Sequence, residues 1–319
     1  MRKFIAAVFA VAFTASAALA QSGQAPTLRI VSEDGNRLPS ELMYGNTKVK
    51  PLRLRPGTNV PITIDDSDFF VQQHYVDFLS RFPDQSGFVF WQNDINQCGP
   101  SNPGCTEAHR INVSAAFFLS IEFQRTGYLV FKTYKAAFGN LPGKPVPVRR
   151  ESFMPETRSI SNGIVVNGDP DWEAKLNANK DAYLQAFVQR SDFAAQFPAT
   201  MTAEQFVDKL FSNAGVTPTS AERGAAVAAF GTGNAAGRAA ALKSVADSEG
   251  STLHRALFNE GFVLMQYFGY LKRNPDDLPD TSFAGYSFWL GKLNEFQGNY
   301  IAAEMVKAFI SSTEYRTRF

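Results

Sequence analysis

The spacing of hydrophobic residues changes period near Asp65. Between Pro26 and Ile64, apolar and polar residues alternate in short runs bounded by turn residues, which predicts about three β-strands. Beyond the acidic link Asp65 to Asp68, apolar residues recur every three or four positions, as in amphipathic helices. So few strands do not make an independent sandwich. We therefore predict a mainly α fold with a short β-rich N-terminal segment over residues 21–66.

One helical unit near the start of the chain is repeated at its end. The first copy runs from Tyr75 to Phe123 and the last from Tyr267 to Tyr315, a separation of 48 residues in each (123 − 75 and 315 − 267). Both contain an Arg-x-Pro-Asp turn and a Gly-x-x-x-Trp helix, and both close on an acidic and an aromatic residue. The signature positions are Arg81, Pro83, Asp84, Gly87, Trp91 and Glu122 in the first copy and Arg273, Pro275, Asp276, Gly285, Trp289 and Glu314 in the last. Such repeats are typical of units that pack against one another.

Each outer copy is predicted to contain three helices. The first ends before Pro83, because proline cannot continue a helix, and Asp84 caps the second. The third spans Ala115 to Phe123 in the first copy and Glu304 to Tyr315 in the last. The fold expected from this pattern is a set of degenerate three-helix repeats.

Two weaker copies are expected between the outer ones. One starts at Tyr134 and finishes with Asp192-Phe193. Another starts at Phe206 and fades into the Ala- and Gly-rich segment Gly224 to Ala241. Neither has the Arg-x-Pro-Asp turn, so the signature weakens in the middle of the chain.

The domain organisation follows from these repeats. A linker at Phe197 to Thr202 separates two pairs of copies. We predict repeats one and two at residues 67–198 and repeats three and four at 199–319.

Residues 1–20 have the order of a secretory signal. Arg2 and Lys3 precede the apolar run Phe4 to Phe13, and small residues lead to a predicted cleavage before Gln21. No later apolar run approaches the roughly 18 residues that span a bilayer. The chain is therefore expected to be secreted, to the extracellular space, cell surface or periplasm, without a transmembrane segment in its mature form. A retained amino-terminal anchor is the alternative.

The two cysteines, Cys98 and Cys105, are expected to form a disulfide in the oxidising compartment that an export signal implies. The bridge would close a short hairpin that is inserted in the first copy, and a ring of this size adds about 2.5 kcal/mol. A metal site would need more ligands than the nearby His109 supplies.

Charge and aromatic content limit the kinds of function that the chain can have. The 31 Lys and Arg almost cancel the 30 Asp and Glu and are scattered, so there is no footprint of a nucleic-acid binder. The 29 Phe and 10 Tyr suit helices that share aromatic-filled cores. Trp91 and Trp289 are predicted to point inward, whereas Trp172, just after a loop, is the tryptophan with a prospect of exposure for stacking on a sugar.

The sequence carries no catalytic signature. His74, His109 and His254 lie in different predicted helices without partner motifs, and His74 is expected at a helix surface. Calcium is the only metal for which the sequence offers support, because carboxylates cluster in its predicted turns. The weak candidates Asp276, Asp277 and Asp280 lack the regular oxygen spacing of a calcium loop, and capping or turn solvation explains them more simply. No cofactor is predicted.

The repeated arginines have two interpretations. Arg81 and Arg273 could bind a ligand, because a guanidinium presents five donors in a fixed fork. The favoured interpretation is an ion pair within each copy, to Glu122 and Glu314, that fixes the turn against the closing helix.

The combined pattern resembles the bacterial family called domain of unknown function 4214. The matching residues are Arg81 to Asp84, Gly87 to Trp91 and Ser120 to Phe123, repeated as Arg273 to Asp276, Gly285 to Trp289 and Ser312 to Tyr315. The resemblance covers residues 69–138 and 256–319. It implies an all-helical module of exported or cell-surface bacterial proteins and brings no activity with it.

The sequence is compatible with two functions. The first is a non-enzymatic exported module that binds a protein or polysaccharide of the cell envelope and no nucleic acid. The second is an exported hydrolase whose site is assembled from carboxylates and arginines that lie far apart in the sequence, with two carboxylates about 5 to 10 Å apart.

Overall fold

The computed structural model describes residues 28–32, 39–45, 47–50, 52–99, 101–166 and 168–319. The predicted signal peptide lies outside these residues. The fold is mainly α, with degenerate helical repeats and a small N-terminal β element, as the sequence predicts.

The β element is a three-stranded antiparallel sheet. Its strands, in the order β1-β2-β3, are Leu28–Ser32, Pro39–Tyr44 and Thr47–Val49. The alternating residues that follow do not add a strand among the described positions. Residues 52–64 contain one isolated bridge, between Leu54 and Pro61.

Within the described ranges the chain forms sixteen α-helices. In chain order they are α1 (Ser67–His74), α2 (Gln85–Asn96), α3 (Pro103–Leu119), α4 (Ile121–Gln124), α5 (Gly127–Phe138), α6 (Arg150–Ser161), α7 (Trp172–Val188), α8 (Ser191–Gln196), α9 (Ala203–Ala214), α10 (Ser220–Phe230), α11 (Ala235–Ala246), α12 (Thr252–Ala256), α13 (Phe258–Gln266), α14 (Ala284–Glu295), α15 (Met305–Ser311) and α16 (Thr313–Arg316). In both outer copies the first helix continues into one π-helical turn, Tyr75–Leu79 after α1 and Tyr267–Leu271 after α13.

These helices fall into four groups of four. Each group has an opening, a middle and a third helix, followed by a short closing helix of four to six residues: α4, α8, α12 or α16. Copies one to four are therefore α1–α4, α5–α8, α9–α12 and α13–α16. Copy three does not fade out, because its Ala- and Gly-rich segment forms α10 and α11. The division into domains at residue 198 stays a prediction.

The closing helix corrects the sequence prediction for the third helix. A continuous helix was expected to reach Phe123 and Tyr315, but the backbone is extended at Ser120 and Ser312. Each serine hydroxyl accepts a hydrogen bond, at 3.1 Å, from the backbone N–H of Phe123 or Tyr315. Serine is a strong N-cap, so it ends one helix and starts the next.

Copies one and four pack through equivalent positions. The rings of Phe78 and Tyr270, each three residues after its repeat tyrosine, meet edge to face at 5.0 Å. The fully buried Asp77 accepts hydrogen bonds from Arg318 of copy four at 2.9 and 3.0 Å. Although burial opposes ionisation, Arg318 and Lys272 lower the pKa of Asp77 to about 2. An ion pair therefore joins the first and last copies.

Copies two and three also pack through their opening helices. The Asn213 side chain at the end of α9 donates to the carbonyls of Ala136 and Ala137 in α5, at 3.2 and 2.7 Å. Helix α5 also contacts copy four, where Lys135 pairs with Glu260 at 2.8 Å. Because all but the last residue of α5 are buried, this helix is the centre of the shared core.

Candidate functional site

The predicted ion pair is present in both outer copies. Arg81 donates to both oxygens of Glu122 at 2.8 Å. Arg273 donates to both oxygens of Glu314 at 2.5 and 3.0 Å. A two-bond arginine–carboxylate pair is directional as well as strong, so it holds the end of the opening helix against the closing helix.

A tyrosine and a glycine complete this arrangement. The guanidinium carbons of Arg81 and Arg273 lie 4.9 and 5.4 Å from the ring centroids of Tyr75 and Tyr267. A Cβ added to Gly285 would lie 2.6 Å from the Tyr267 hydroxyl, and the same clash occurs between copy one's Gly87 and Tyr75. The signature glycines are therefore explained by the close approach of the tyrosine hydroxyl to the middle helix.

The Pro-Asp turn is used differently in the two copies. Asp84 caps α2 by accepting from Gly87 N–H at 2.8 Å, as predicted. Asp276 does not cap α14, which begins eight residues later at Ala284 without a side-chain cap. In copy four the chain inserted between the turn and α14 instead brings Asp280 to Arg273 at 2.7 Å.

Copy two has a related arrangement that the sequence did not reveal. Arg190 lies over the ring of Tyr134 at 5.4 Å and binds Glu156 at 2.9 Å. The arginine comes from the residue before α8, where the outer copies have the capping serine, and not from the end of the opening helix. Burial raises the pKa of Glu156, even though Tyr134, Tyr183 and Arg190 stabilise its charge. One sequence feature could have identified this arrangement. Arg190, directly before Ser-Asp-Phe, occupies the position that the capping serine has in the outer copies.

The three calcium candidates are engaged by cations. Asp276 binds Lys144 at 2.5 Å and also Arg149, which reaches Asp277 at 2.8 Å. Asp280 binds Arg273. Although partial burial opposes ionisation, hydrogen bonds from Lys144 and Arg149 lower the pKa of Asp276. Asp276 and Asp277 join copy four to copy two, whereas Asp280 pairs within copy four, and among the described residues the three carboxylates do not form a metal-binding group.

Calcium is expected to leave the melting temperature within about 1 °C of its value in chelator, because a ligand stabilises only when it binds the folded state preferentially. Calorimetry of the full chain in calcium chloride and in chelator measures the difference, with magnesium chloride as the control. A calcium-specific increase of several degrees would show that the cations around Asp276 give way to the metal.

One prediction about the histidines is wrong. His74 was expected at a helix surface but is fully buried, with Nδ1 2.7 Å from the Phe70 carbonyl and Nε2 2.8 Å from the Ser114 hydroxyl. Burial lowers its pKa to about 4. The error arose because the opening helix is buried on more than one face, against its own copy and against copy four. Burial and the nearby Lys132 also lower the pKa of His254 to about 4.

The predicted disulfide between Cys98 and Cys105 is present, with a Cα–Cα distance of 5.5 Å. It joins the end of α2 to the first turn of α3, because α3 begins at Pro103 within the segment that was expected to be a hairpin. His109 lies near both sulfurs, but it binds Asp94 at 2.9 Å. Bonded sulfurs are not thiolate ligands, so this group does not form a zinc site.

The repeated Phe-Trp pairs lie partly at the surface. Trp91 and Trp289 are half-buried, as is Trp172, so the first two point inward only in part. Phe90 is 62% exposed and Phe288 is 58% exposed. Each phenylalanine meets its tryptophan edge to face, at 4.8 Å in copy one and 5.0 Å in copy four.

A cavity of about 210 Å³ adjoins the pair in copy one. Trp91 and Ile121 line it together with Val166 from the chain between α6 and α7. Asp84 and Glu122 also line it, but both carboxylates bind Arg81. Hydrogen bonds from Gly87 and the charge of Arg81 lower the pKa of Asp84 against the effect of burial. This aspartate is therefore unsuited to act as a general acid near neutral pH.

A second cavity, of about 400 Å³, lies in copy two. It is lined by Glu156 and Arg190, with Tyr183 and Phe187 as aromatic walls. Among the described residues that line it, Glu156 is the one carboxylate, and it accepts from Tyr134, Tyr183 and Arg190. A glycosidase site needs two carboxylates.

No protein-family model matches the sequence, and no curated protein or solved structure is significantly similar to it. The resemblance to domain of unknown function 4214 therefore stays a prediction. Across the part of the chain that the structure describes, no helix is both long enough and apolar enough to cross a membrane.

Proposed function

We propose that this protein is an exported, non-enzymatic helical module, related to domain of unknown function 4214, that binds a partner in the cell envelope. Export rests on the charge and apolar pattern of residues 1–20. The Cys98–Cys105 disulfide fits an oxidising compartment.

The duplicated exposed phenylalanine carries this proposal. Phe90 and Phe288 occupy the same position in two copies whose loops have diverged, and both remain more than half exposed. Every other aromatic position of the signature is explained by packing within its copy. A single exposed apolar side chain is ordinary, but two at equivalent positions, each held edge-on by a tryptophan, form a repeated contact surface.

The chemistry of this surface favours a protein partner over a polysaccharide. In copy one the exposed Ile121 and the half-buried Val166 line the cavity beside Trp91. The arginine and carboxylates of that cavity are occupied with one another. Exposed aromatic and aliphatic side chains are typical anchors of protein interfaces, whereas a sugar site would need free polar groups beside a flat exposed ring.

The double variant Phe90→Ser/Phe288→Ser is expected to lose at least about tenfold in affinity for an envelope protein, because aromatic anchors contribute most of the binding energy at such interfaces. The full chain is immobilised and titrated with detergent-solubilised envelope of the producing organism. The amount of envelope protein that binds saturably is then measured. Pretreating the envelope with protease should remove the binding component.

Leu52→Ser is the matched control, because Leu52 is exposed but lies outside the repeats. This variant should bind like the parent chain. Equal binding by the double variant would contradict the assigned surface. Loss of binding after glycosidase treatment, with survival after protease treatment, would identify a polysaccharide partner instead.

A further inference from the structure

A cleft lies between the first and last copies, where α3 packs against α15. Its volume is about 390 Å³, within the range of small-molecule sites. Its lining includes the apolar side chains of Ile64, Phe70 and Ile310 and the hydroxyl-bearing Thr106 and Ser311. An apolar wall with a few polar groups is the usual composition of a pocket for an organic ligand.

Two residues that line this cleft each carry a buried polar group with no hydrogen-bond partner among the described residues. The two groups are the Nε–H of Arg110 and the hydroxyl of Tyr315. The terminal nitrogens of Arg110 donate to Asp65 and to the backbone carbonyls of Ile64 and Asp65. A buried donor without an acceptor is unfavourable. Two such donors at one cleft indicate that an acceptor oxygen completes the site.

The repeat shows that the Tyr315 hydroxyl is not needed for packing. Copy one has Phe123 at the equivalent position. Its ring meets Phe78 edge-on at 6.4 Å, as the ring of Tyr315 meets Tyr270 at 5.5 Å. A phenylalanine therefore performs the same packing role, and copy four adds a buried hydroxyl to a residue that lines the cleft.

The charges of the lining residues sum to +1. Three cations, Arg110, Arg316 and Lys307, line the cleft with the carboxylates Asp65 and Glu107. Asp65 binds Arg110 at 3.1 Å and Arg316 at 2.5 Å, and Glu107 binds Lys307 at 3.1 Å. Two negative charges therefore face three positive ones, and a bound monoanion would balance the site.

We propose that this cleft binds a small amphiphilic carboxylate. The apolar part of the ligand packs against Phe70 and Ile310. One carboxylate oxygen accepts from Nε of Arg110 and the other from the hydroxyl of Tyr315. A carboxylate meets all three requirements, because it is a monoanion, it offers two acceptor oxygens and it can carry an apolar chain.

Octanoate is the probe, and its binding to the full disulfide-bonded chain is measured by isothermal titration calorimetry. Saturable binding is expected. Replacing the carboxylate by a hydroxyl in 1-octanol should weaken binding at least about tenfold, since hydrogen bonds to a charged group are the stronger ones. Octylammonium, a cation with the same chain, should not bind.

Tyr315→Phe tests the hydroxyl. Its melting temperature should equal or exceed that of the parent chain, because an unpartnered buried group is removed, while octanoate affinity falls about tenfold or more. Arg110→Lys is the second variant, since it keeps the charge but removes the guanidinium fork, and it should also lose affinity. Tyr286→Phe is the matched control, a buried tyrosine in α14 that should bind octanoate like the parent chain.

Three results would overturn the proposal. The first is no binding of octanoate at millimolar concentration. The second is equal affinity for octanoate and 1-octanol, which would leave the two donors without a role. The third is unchanged octanoate affinity in a folded Tyr315→Phe or Arg110→Lys variant.

Discussion

Replacing Arg81 with alanine is expected to lower the free energy of unfolding by about 3 to 5 kcal/mol, the loss typical of a buried ion pair stripped of one partner. The variant leaves the Glu122 carboxylate, 4% exposed, without its cation in a region that water barely reaches. It also removes the bonds that fasten the closing helix to the opening helix. Urea unfolding of the full chain measures the loss.

Arg273→Ala should be less destabilising, although the same pair is broken in copy four. Its partner Glu314 is 33% exposed, so water can solvate the carboxylate after the arginine is removed. Arg125→Ala is the matched control, because this arginine also binds two carboxylates, Glu173 and Glu249, but at the surface. It should cost less than about 1 kcal/mol. A loss at Arg81 no greater than at Arg125 would mean that the repeat pair does not stabilise the fold.

Gly285→Ala is expected to destabilise the chain by about 1 to 3 kcal/mol, the usual cost of forcing an extra methyl group into a packed site. The clash is with one atom, the Tyr267 hydroxyl. The next nearest atom is Cζ of the same ring, 3.9 Å from the added Cβ, which is an ordinary contact. In a Tyr267→Phe background, Gly285→Ala should therefore be neutral or stabilising.

A double-mutant cycle measures this change of sign in the effect of Gly285→Ala on stability. Thermal and urea unfolding are compared for the parent chain, the two single variants and the double variant. Gly291→Ala is the matched control, because it lies in the same helix and the added Cβ would have, apart from its chain neighbours and the adjacent helix backbone, no atom of the described residues within 4 Å. It should raise stability by about 0.5 to 1 kcal/mol through helix propensity. If Gly285→Ala cost as much in the Tyr267→Phe background as in the parent chain, close approach would not be the reason for the glycine.

Much of the fold could be predicted from periodicity, because a helix that buries one face has apolar residues at regular intervals in the sequence. The Arg81–Glu122 and Arg273–Glu314 pairs could also be predicted, since the repeat placed the same two charges at the same separation twice. The helix break at Ser120 was missed because a capping serine and an interior serine look alike until the backbone is known. Copy three was underestimated because its alanine-rich helices carry few large apolar residues.

The surroundings of charged residues were harder to predict than the helices. Arg190 replaces the signature arginine in copy two from the opposite end of the unit, so no fixed spacing identified it. Asp77, His74 and the calcium candidate Asp276 each contact a residue of another copy: Arg318, Tyr270 and Lys144, respectively. Local pattern does not encode such contacts.

The sequence by itself determined the mainly α class, the repeated unit, the ion pair inside each outer copy and the disulfide, because all of these depend on spacing within one unit. Only the tertiary structure decided how the copies pair, which aromatic residues remain exposed and which carboxylates are taken by cations. Those outcomes depend on which helices and loops meet in space, within a copy as well as between copies. The cleft between copies one and four is of the second kind, since Arg110 and Tyr315 become neighbours only when the ends of the chain pack together.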